Sequence, residues 1–237
     1  MSTLAFYIDA PLQAWGLSSK FQHRETNAFP TKSAVVGLIA AAMGIDKHGP
    51  DEAERLRPLA KLSSTIVKLP KRGTPVTRLS DFHTVGGGFD KSASLPEKLS
   101  IPRKASGAPF GTVITHRSYL NDAAFAVLLE GEIEFLKKVQ DALENPVWGV
   151  WFGRKACLPA SPLSPTLGKD REAALAALLE RIPGHDPWPL ANHEYQEEST
   201  DGIFHQSDQP IAFGRHHGAV PAPYRSRGVN HHRPSKE

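Results

Sequence analysis

Residues 83–111 constrain the fold more than any other part of the sequence. They hold Gly86-Gly87-Gly88, Pro96, Pro102, Gly107, Pro109 and Gly111, with Lys91, Lys98, Arg103 and Lys104 between them, and they show neither a helical nor a strand period. A connection of this length inside a compact domain is either functional or disordered. Strand-like runs stand on both sides, 76–82 (VTRLSDF) before it and 112–120 (TVITHRSYL) after it. The stretch therefore reads as a long basic insertion, with the three glycines as a hinge that lets it swing out.

The remaining sequence supplies the elements of a core. Residues 3–9 alternate Leu4, Phe6 and Ile8 with Ala5, Tyr7 and Asp9, the pattern of a half-buried strand. Thr31 or Ser33 can cap a helix that runs to about Gly44 and is apolar nearly all round, so it should be buried; Gly37 in its middle implies close approach of a neighbour. Residues 64–69 and 76–82 read as strands around the turn signal 70–75, and 123–130 as an interior strand. An amphipathic helix is expected over 132–144, stopped by Asn145-Pro146, followed by a strand at 147–152 in which Trp148 and Trp151 are core or interface residues. A further helix spans 170–182. The rest is polar, and His216-His217 and His231-His232, which follow no metal-ligand spacing, are expected in a flexible, solvated tail.

This order fits an α+β fold of the ferredoxin-like βαββαβ type, the topology of RNA-recognition domains. Residues 1–82 and 112–160 would form the core, 83–111 the insertion and 161–237 a C-terminal extension. Cys157 is the one cysteine, which excludes an internal disulfide and a cysteine-cluster metal site. No apolar run is long enough to span a bilayer, and the N-terminus lacks the features of a signal peptide, so a soluble cytoplasmic protein without cofactor, metal or membrane partner is expected.

Charge narrows the partners only when it is read locally. The whole chain carries a formal +3, but residues 61–120 carry +7, residues 121–209 carry −8 and residues 210–237 carry +4. A local basic excess of that size suits a polyanion, and it also describes a solvated face. The acidic block is expected to face solvent or protein partners.

The start of the 31–44 helix offers backbone N–H groups, the hydroxyls of Thr31 and Ser33, and Lys32, with Arg24 and Thr26 nearby in sequence. This could cradle a phosphate, and it equally describes an ordinary capped helix. There is no GxxxxGK[ST] loop, and Gly86-Gly87-Gly88 opens no helix, so nucleotide-binding fingerprints are excluded. Arg154 and Lys155, just after the expected 147–152 strand, are placed for phosphate contacts. His83 and His116 are candidates for an acid–base pair in RNA cleavage, with Arg117, Tyr119 or Lys155 stabilising charge; loop and surface histidines without such a role are the simpler reading.

Five motifs occur together in a fixed order. Ala10–Gly16 (APLQAWG) resembles G-P-[LM]-Q-[AS]-W-G, with Ala10 where glycine is usual. Phe29–Leu38 (FPTKSAVVGL) resembles F-P-T-[RK]-S-x-[VL]-[IL]-G-L, and Asp81–Val85 resembles D-[YF]-H-T-V. Ser118–Phe125 resembles x-Y-L-x-D-A-x-F, and Gly153–Cys157 resembles G-R-[RK]-[SA]-C. Spread over about residues 4–163, these motifs resemble the CasD family, the type I-E CRISPR Cascade subunit that holds the 5′ handle of the guide RNA (crRNA).

The resemblance implies a modified RNA-recognition fold whose insertion is a thumb, and binding of the repeat-derived handle. It also implies contact with the guide-coating backbone subunit and with the large, PAM-reading subunit, target DNA being reached only through the complex. No catalytic duty is implied, because a separate subunit cuts the precursor. The candidate RNA-contacting residues are Gln13, Trp15, Arg24, Thr26, Thr31, Lys32, Ser33, His83, Thr84, Lys91, Arg103, Lys104, His116, Arg117, Arg154 and Lys155. The alternative is a metal-independent endoribonuclease that processes precursor RNA, as related type I-C subunits do, with His83, His116, Tyr119 and Lys155 as its reactive groups.

Overall fold

A computed structural model describes residues 1–17, 22–71, 75–85, 92, 94–96, 113–214 and 224–234. Its main sheet is built around β1 (Ser2–Asp9), which pairs antiparallel with β7 (Ala124–Gly131) on one side and β8 (Thr166–Gly168) on the other. Beyond β7 lie β4 (Ser63–Lys68), β9 (Tyr195–Glu198), β11 (Tyr224–His232) and β10 (Phe204–Pro210), giving seven strands in the order β10-β11-β9-β4-β7-β1-β8. Every pairing in this sheet is antiparallel. The chain is thus a mixed α+β protein.

Strand β1 is buried on both faces, not on one as its alternation suggested. Leu4, Phe6 and Ile8 pack into a core with helices α1 (Lys32–Ala42), α2 (Glu52–Lys61) and α3 (Ile133–Glu144). Ala5 and Tyr7 face a second core made with α4 (Arg171–Arg181), through Ala174, Leu175, Leu178 and Leu179. Burying each large apolar side chain contributes about 1.5–3 kcal/mol. Helix α4 therefore covers the sheet face that an open two-layer domain would leave to solvent.

Helix α1 follows the expected bounds. Thr31 caps it, accepting a bond from the Ala34 N–H at 3.3 Å, and Gly44 ends it with φ of +65°, a conformation glycine adopts at no steric cost. Gly37 meets the Phe213 ring at 3.6 Å from where a Cβ would stand.

Strands β4 and β5 (Thr77–Val85) do not form the hairpin that the 70–75 turn suggested. Strand β4 stays in the main sheet, while β5 pairs along its length with β6 (Val113–Asn121), from Thr77↔Asn121 to Val85↔Val113. The other edge of β6 takes β2 (Leu12–Gln13) at its end and β3 (His23–Arg24), in parallel, at its middle. Asp122, with φ of +51°, turns the chain from β6 into β7, its N–H donating to Pro11 O at 3.0 Å. The second sheet is therefore a ribbon leaving the body at the β6–β7 corner. Of the 83–111 insertion, residues 83–85 extend β5; Lys91, Arg103 and Lys104 lie outside the described residues.

Two further expectations are corrected. Residues 147–152 are irregular: the N–H groups of Val147 and Trp148 donate to Ala42 O and Ala41 O, the open carbonyls at the end of α1, at 2.8 and 3.3 Å, so they cover a helix terminus instead of forming a ladder. Trp148 and Trp151 are 45% and 37% exposed. His231 and His232, expected in a flexible tail, end strand β11, where they face Gln196 and Tyr195 of β9. Their rings bond Glu194 at 2.9 Å and Glu197 at 2.8 Å. His216 and His217 lie outside the described residues.

Candidate nucleic-acid interface

Antiparallel register decides what the ribbon presents, because directly paired residues share a face and neighbours alternate. Phe82 faces His116, and the parallel β3 brings His23 opposite His116 on its other side. The two imidazoles stack with centroids 5.2 Å apart and planes 7° from parallel, and Phe82 meets His116 edge-on at 5.2 Å. The result is a row of three rings across three strands, with Phe82 60% exposed. Leu79, Val113 and Ile114 are exposed along the same two strands.

The opposite face carries Asp81, Arg117 and Arg24 in register. Arg117 Nε donates to Thr115 Oγ1 at 3.1 Å, which leaves the outer edge of its guanidinium pointing away from that bond. Arg154 lies across the base of the ribbon. It donates to Ser118 O at 3.1 Å and to Arg24 O at 2.7 Å, and its guanidinium sits 4.4 Å above the Tyr119 ring. Lys155 is exposed and lies 5.9 Å from the Trp151 ring centroid.

The APLQAWG segment holds this arrangement from beneath. Gln13 Nε2 donates to Ala123 O at 2.6 Å while its Oε1 accepts from Trp15 Nε1 at 3.1 Å. The Trp15 N–H donates to Thr26 Oγ1 at 2.8 Å, and the Asn27 N–H returns to Trp15 O at 2.8 Å. Gln13, Trp15 and Thr26 are all buried, so these three candidates instead brace the 23–27 segment against β6. Gly153 sits at φ of +92°, and a Cβ there would stand 1.7 Å from Ala14 O. Gly153→Ala is therefore expected to displace the Arg154 loop, lowering the thermal midpoint and weakening RNA binding together, measured by melting and by titration with single-stranded RNA.

The start of α1 is occupied by the protein itself. The Lys32 N–H donates to Asp208 Oδ2 at 2.8 Å, and Asp208 is in turn gripped by Arg227 at 2.6 and 2.9 Å. Lys32 Nζ reaches both oxygens of Glu198 at 2.7 and 2.8 Å. Burial pushes the Lys32 ammonium below its ordinary pKa, and Glu198 pulls it back. Thr31 is buried, with its hydroxyl 3.2 Å from that of the half-buried Ser33. A helix N-terminus does attract an anion here, as expected, but the anion is a carboxylate of strand β10, not a phosphate.

Part of the acidic block is paired inside the fold: Glu198 and Asp208 bind Lys32 and Arg227, while Glu130 and Glu197 bind Arg171 at 2.6 and 2.7 Å. Others, including Glu132, Glu134, Asp141, Glu144, Glu180 and Asp201, are exposed, in keeping with an acidic block that faces solvent.

His83 and His116 do not form an acid–base pair. Register sets His83 opposite Thr115 and His116 opposite Phe82, on alternate faces of the ribbon. Tyr119 is buried under Arg154, and Lys155 lies by Trp151, so the four groups considered for cleavage do not converge. Thr84 is exposed near the end of β5. His23 and Phe82, absent from the candidate set, complete the surface; the exposed aromatic in the DFHTV motif was the available signal for Phe82, whereas the β3–β6 pairing that recruits His23 leaves no trace in the sequence. Among the described residues no group of three His, Cys, Asp or Glu could hold a metal ion, and no helix is long and apolar enough to cross a membrane.

Comparison with known proteins gives one direction. The family model for CRISPR-associated protein (Cas_Cas5) matches residues 3–221. The CRISPR system Cascade subunit CasD of Escherichia coli (strain K12) is 28% identical over 221 residues, covering 89% of this chain and 89% of that protein. A chain from a CRISPR RNA-guided surveillance complex superposes with a TM-score of 0.71 at 26% identity, covering 97% of this chain and 88% of that one. A crystal structure of a Cas protein gives 0.59 at 28% identity, with 97% and 93% covered. A match across nearly the whole chain, in sequence and in fold, places the protein in the CRISPR-associated Cas5 family.

Proposed function

We propose that the protein is a non-catalytic subunit of a type I-E CRISPR Cascade complex that holds the 5′ handle of the crRNA. In this reading it contacts the backbone and large subunits and reaches target DNA only through the assembly. The observation that carries it is the ribbon: three rings in a row on one face, Arg24 and Arg117 in register on the other, and Arg154 across its base. Rings offer stacking to unpaired bases, which every base accepts, while guanidinium groups hold phosphates. Single-stranded RNA is read in this way, through splayed bases and 2′-hydroxyls.

Within the main sheet, the order β8-β1-β7-β4, with α1 and α2 crossing from β1 to β4 and α3 from β7 to β8, supports a ferredoxin-like core. The ribbon and the 86–112 segment it carries would then be the thumb, inserted between β4 and β7. Because α4 closes one sheet face and α1–α3 the other, RNA would run along the ribbon and not across the main sheet. The dispersal of His83, His116, Tyr119 and Lys155 supports the absence of catalysis.

Titration of the protein with RNA carrying the repeat-derived handle, against a scrambled RNA of equal length, tests this. Tighter binding of the handle, weakening as salt rises, is expected. Equal affinity for both RNAs at every salt concentration would sink the handle-binding claim.

A further inference from the structure

A cavity of about 530 Å³ opens beside the base of the ribbon, walled by Leu69, Pro70, Val76, Phe125 and Trp188. Its size falls within the range of ligand pockets, which run roughly 300–1,000 Å³. One wall comes from the 186–209 segment, whose role the sequence motifs leave unassigned. We propose that this pocket receives one unstacked base of the RNA strand carried by the ribbon, with Trp188 as its stacking surface; the proposal rests on the RNA-binding reading above.

Three features select a base over other occupants. The first is the wall: Trp188 is 49% exposed, its backbone is held by the His193 ring bonding Trp188 O at 3.3 Å, and the two rings lie 6.2 Å apart at 45°. His193 is 5% exposed, and burial drives its pKa below the ordinary value, which disfavours a positive charge beside the apolar slot. A flat indole lining a largely apolar cavity suits a planar ring.

The second is the rim, where polar groups gather. Asn192 is exposed and can both donate to and accept from a base edge, and the exposed Arg233 can meet the phosphate that follows it. Lys68 is less available, being paired with Glu194 at 2.8 Å. An apolar side chain from a protein would fill the slot but would leave Asn192 and Arg233 with nothing to recognise.

The third is continuity. Val76 immediately precedes β5, and Phe125 lies in β7 just past the corner where β6 ends. A strand lying along the ribbon reaches the pocket without crossing the body of the protein.

A thermodynamic cycle on the full chain tests this. RNA with the repeat-derived 5′ end is made with an abasic site at each position in turn, and its affinity is measured for the native protein and for Trp188→Ala. At one position the abasic site is expected to weaken binding by the native protein about tenfold, the scale of one base–aromatic stack, and to add little once Trp188 is gone. Trp188→Phe should retain most of the affinity, and Asn192→Ala should blunt discrimination among bases at that same position. Melting curves confirm that each variant is folded. If every abasic effect simply adds to that of Trp188→Ala while the RNA still binds, the pocket holds no base, and handle binding survives. Failure of the native protein to bind this RNA at all would remove the RNA reading itself. Unchanged RNA affinity in Trp188→Ala, with loss of a protein subunit from the assembled complex, would overturn the proposal in favour of protein docking.

Discussion

Asp208→Ala is expected to lower the unfolding free energy by about 3–5 kcal/mol, the scale of removing one partner from a buried ion pair. For a chain of this length that is a fall of roughly 10 °C in melting temperature. The side chains of Asp208 and Arg227 are only 1% and 4% exposed, so solvent cannot rescue the guanidinium left behind. The substitution also strips the Lys32 N–H of its acceptor at the start of α1. The effect therefore combines an unpaired buried charge with a missing helix cap, which alone contributes about 1 kcal/mol. Changing both partners to apolar residues, Asp208→Leu with Arg227→Met, should recover part of the loss, since no lone charge then remains. Chemical denaturation of the three proteins checks this. A midpoint for Asp208→Ala within about 1 °C of the native value in a parallel thermal melt would mean the pair does not hold α1 in solution.

The largest effect on binding is expected from two cations, Arg117 on the ribbon and the exposed Lys155 beside Trp151. The double variant Arg117→Ala, Lys155→Ala should keep its melting temperature, because neither side chain is buried. Its affinity for handle RNA at physiological salt should fall by about one to two orders of magnitude, at roughly 1 kcal/mol or somewhat more for each phosphate that these cations neutralise. The slope of log affinity against log salt should flatten by about 0.7 for each phosphate of a single strand left without its cation. Titrations at several salt concentrations separate this from unfolding. An unchanged slope would show that these two side chains touch no phosphate, whatever happens to the affinity.

Much of the core was legible in the sequence because its signals are local. Helix α1 announces itself through Thr31 and Gly44, α3 through its spaced Leu136, Val139 and Leu143, and α4 through Asp170, whose carboxylate caps it at 2.8 Å. Helix α2 was hidden by Pro58, which sits inside it and reads as a breaker. Residues 147–152 mimic a strand in composition, but their N–H groups answer to the end of α1, a partner no local pattern announces.

The candidate site divides along the same line. Motifs drew attention to Gln13, Trp15, Thr31 and Lys32, but whether a polar side chain faces RNA or a neighbouring strand depends on residues far away in the chain. Lys32 and Asp208 stand 176 apart in sequence, and the separation from Lys32 to Glu198 is 166. Strands β9, β10 and β11 were missed for a related reason: they are polar and carry ion pairs besides their backbone ladders, so they show little hydrophobic alternation for a sequence reading to detect.

The pairing of Lys32 with Asp208 also sets an order of events during synthesis. Residues separated by 176 positions cannot meet until the later one leaves the ribosome, which at about 5–20 residues per second takes roughly 10–35 seconds. Until then α1 lacks its carboxylate cap, and Lys32 has neither Glu198 nor Asp208 beside it. Strands β1, β4 and β7 can pair meanwhile, since β7 ends at Gly131. The start of the first helix thus stays open while the central strands are free to pair, until translation of β10 supplies the residue that closes it.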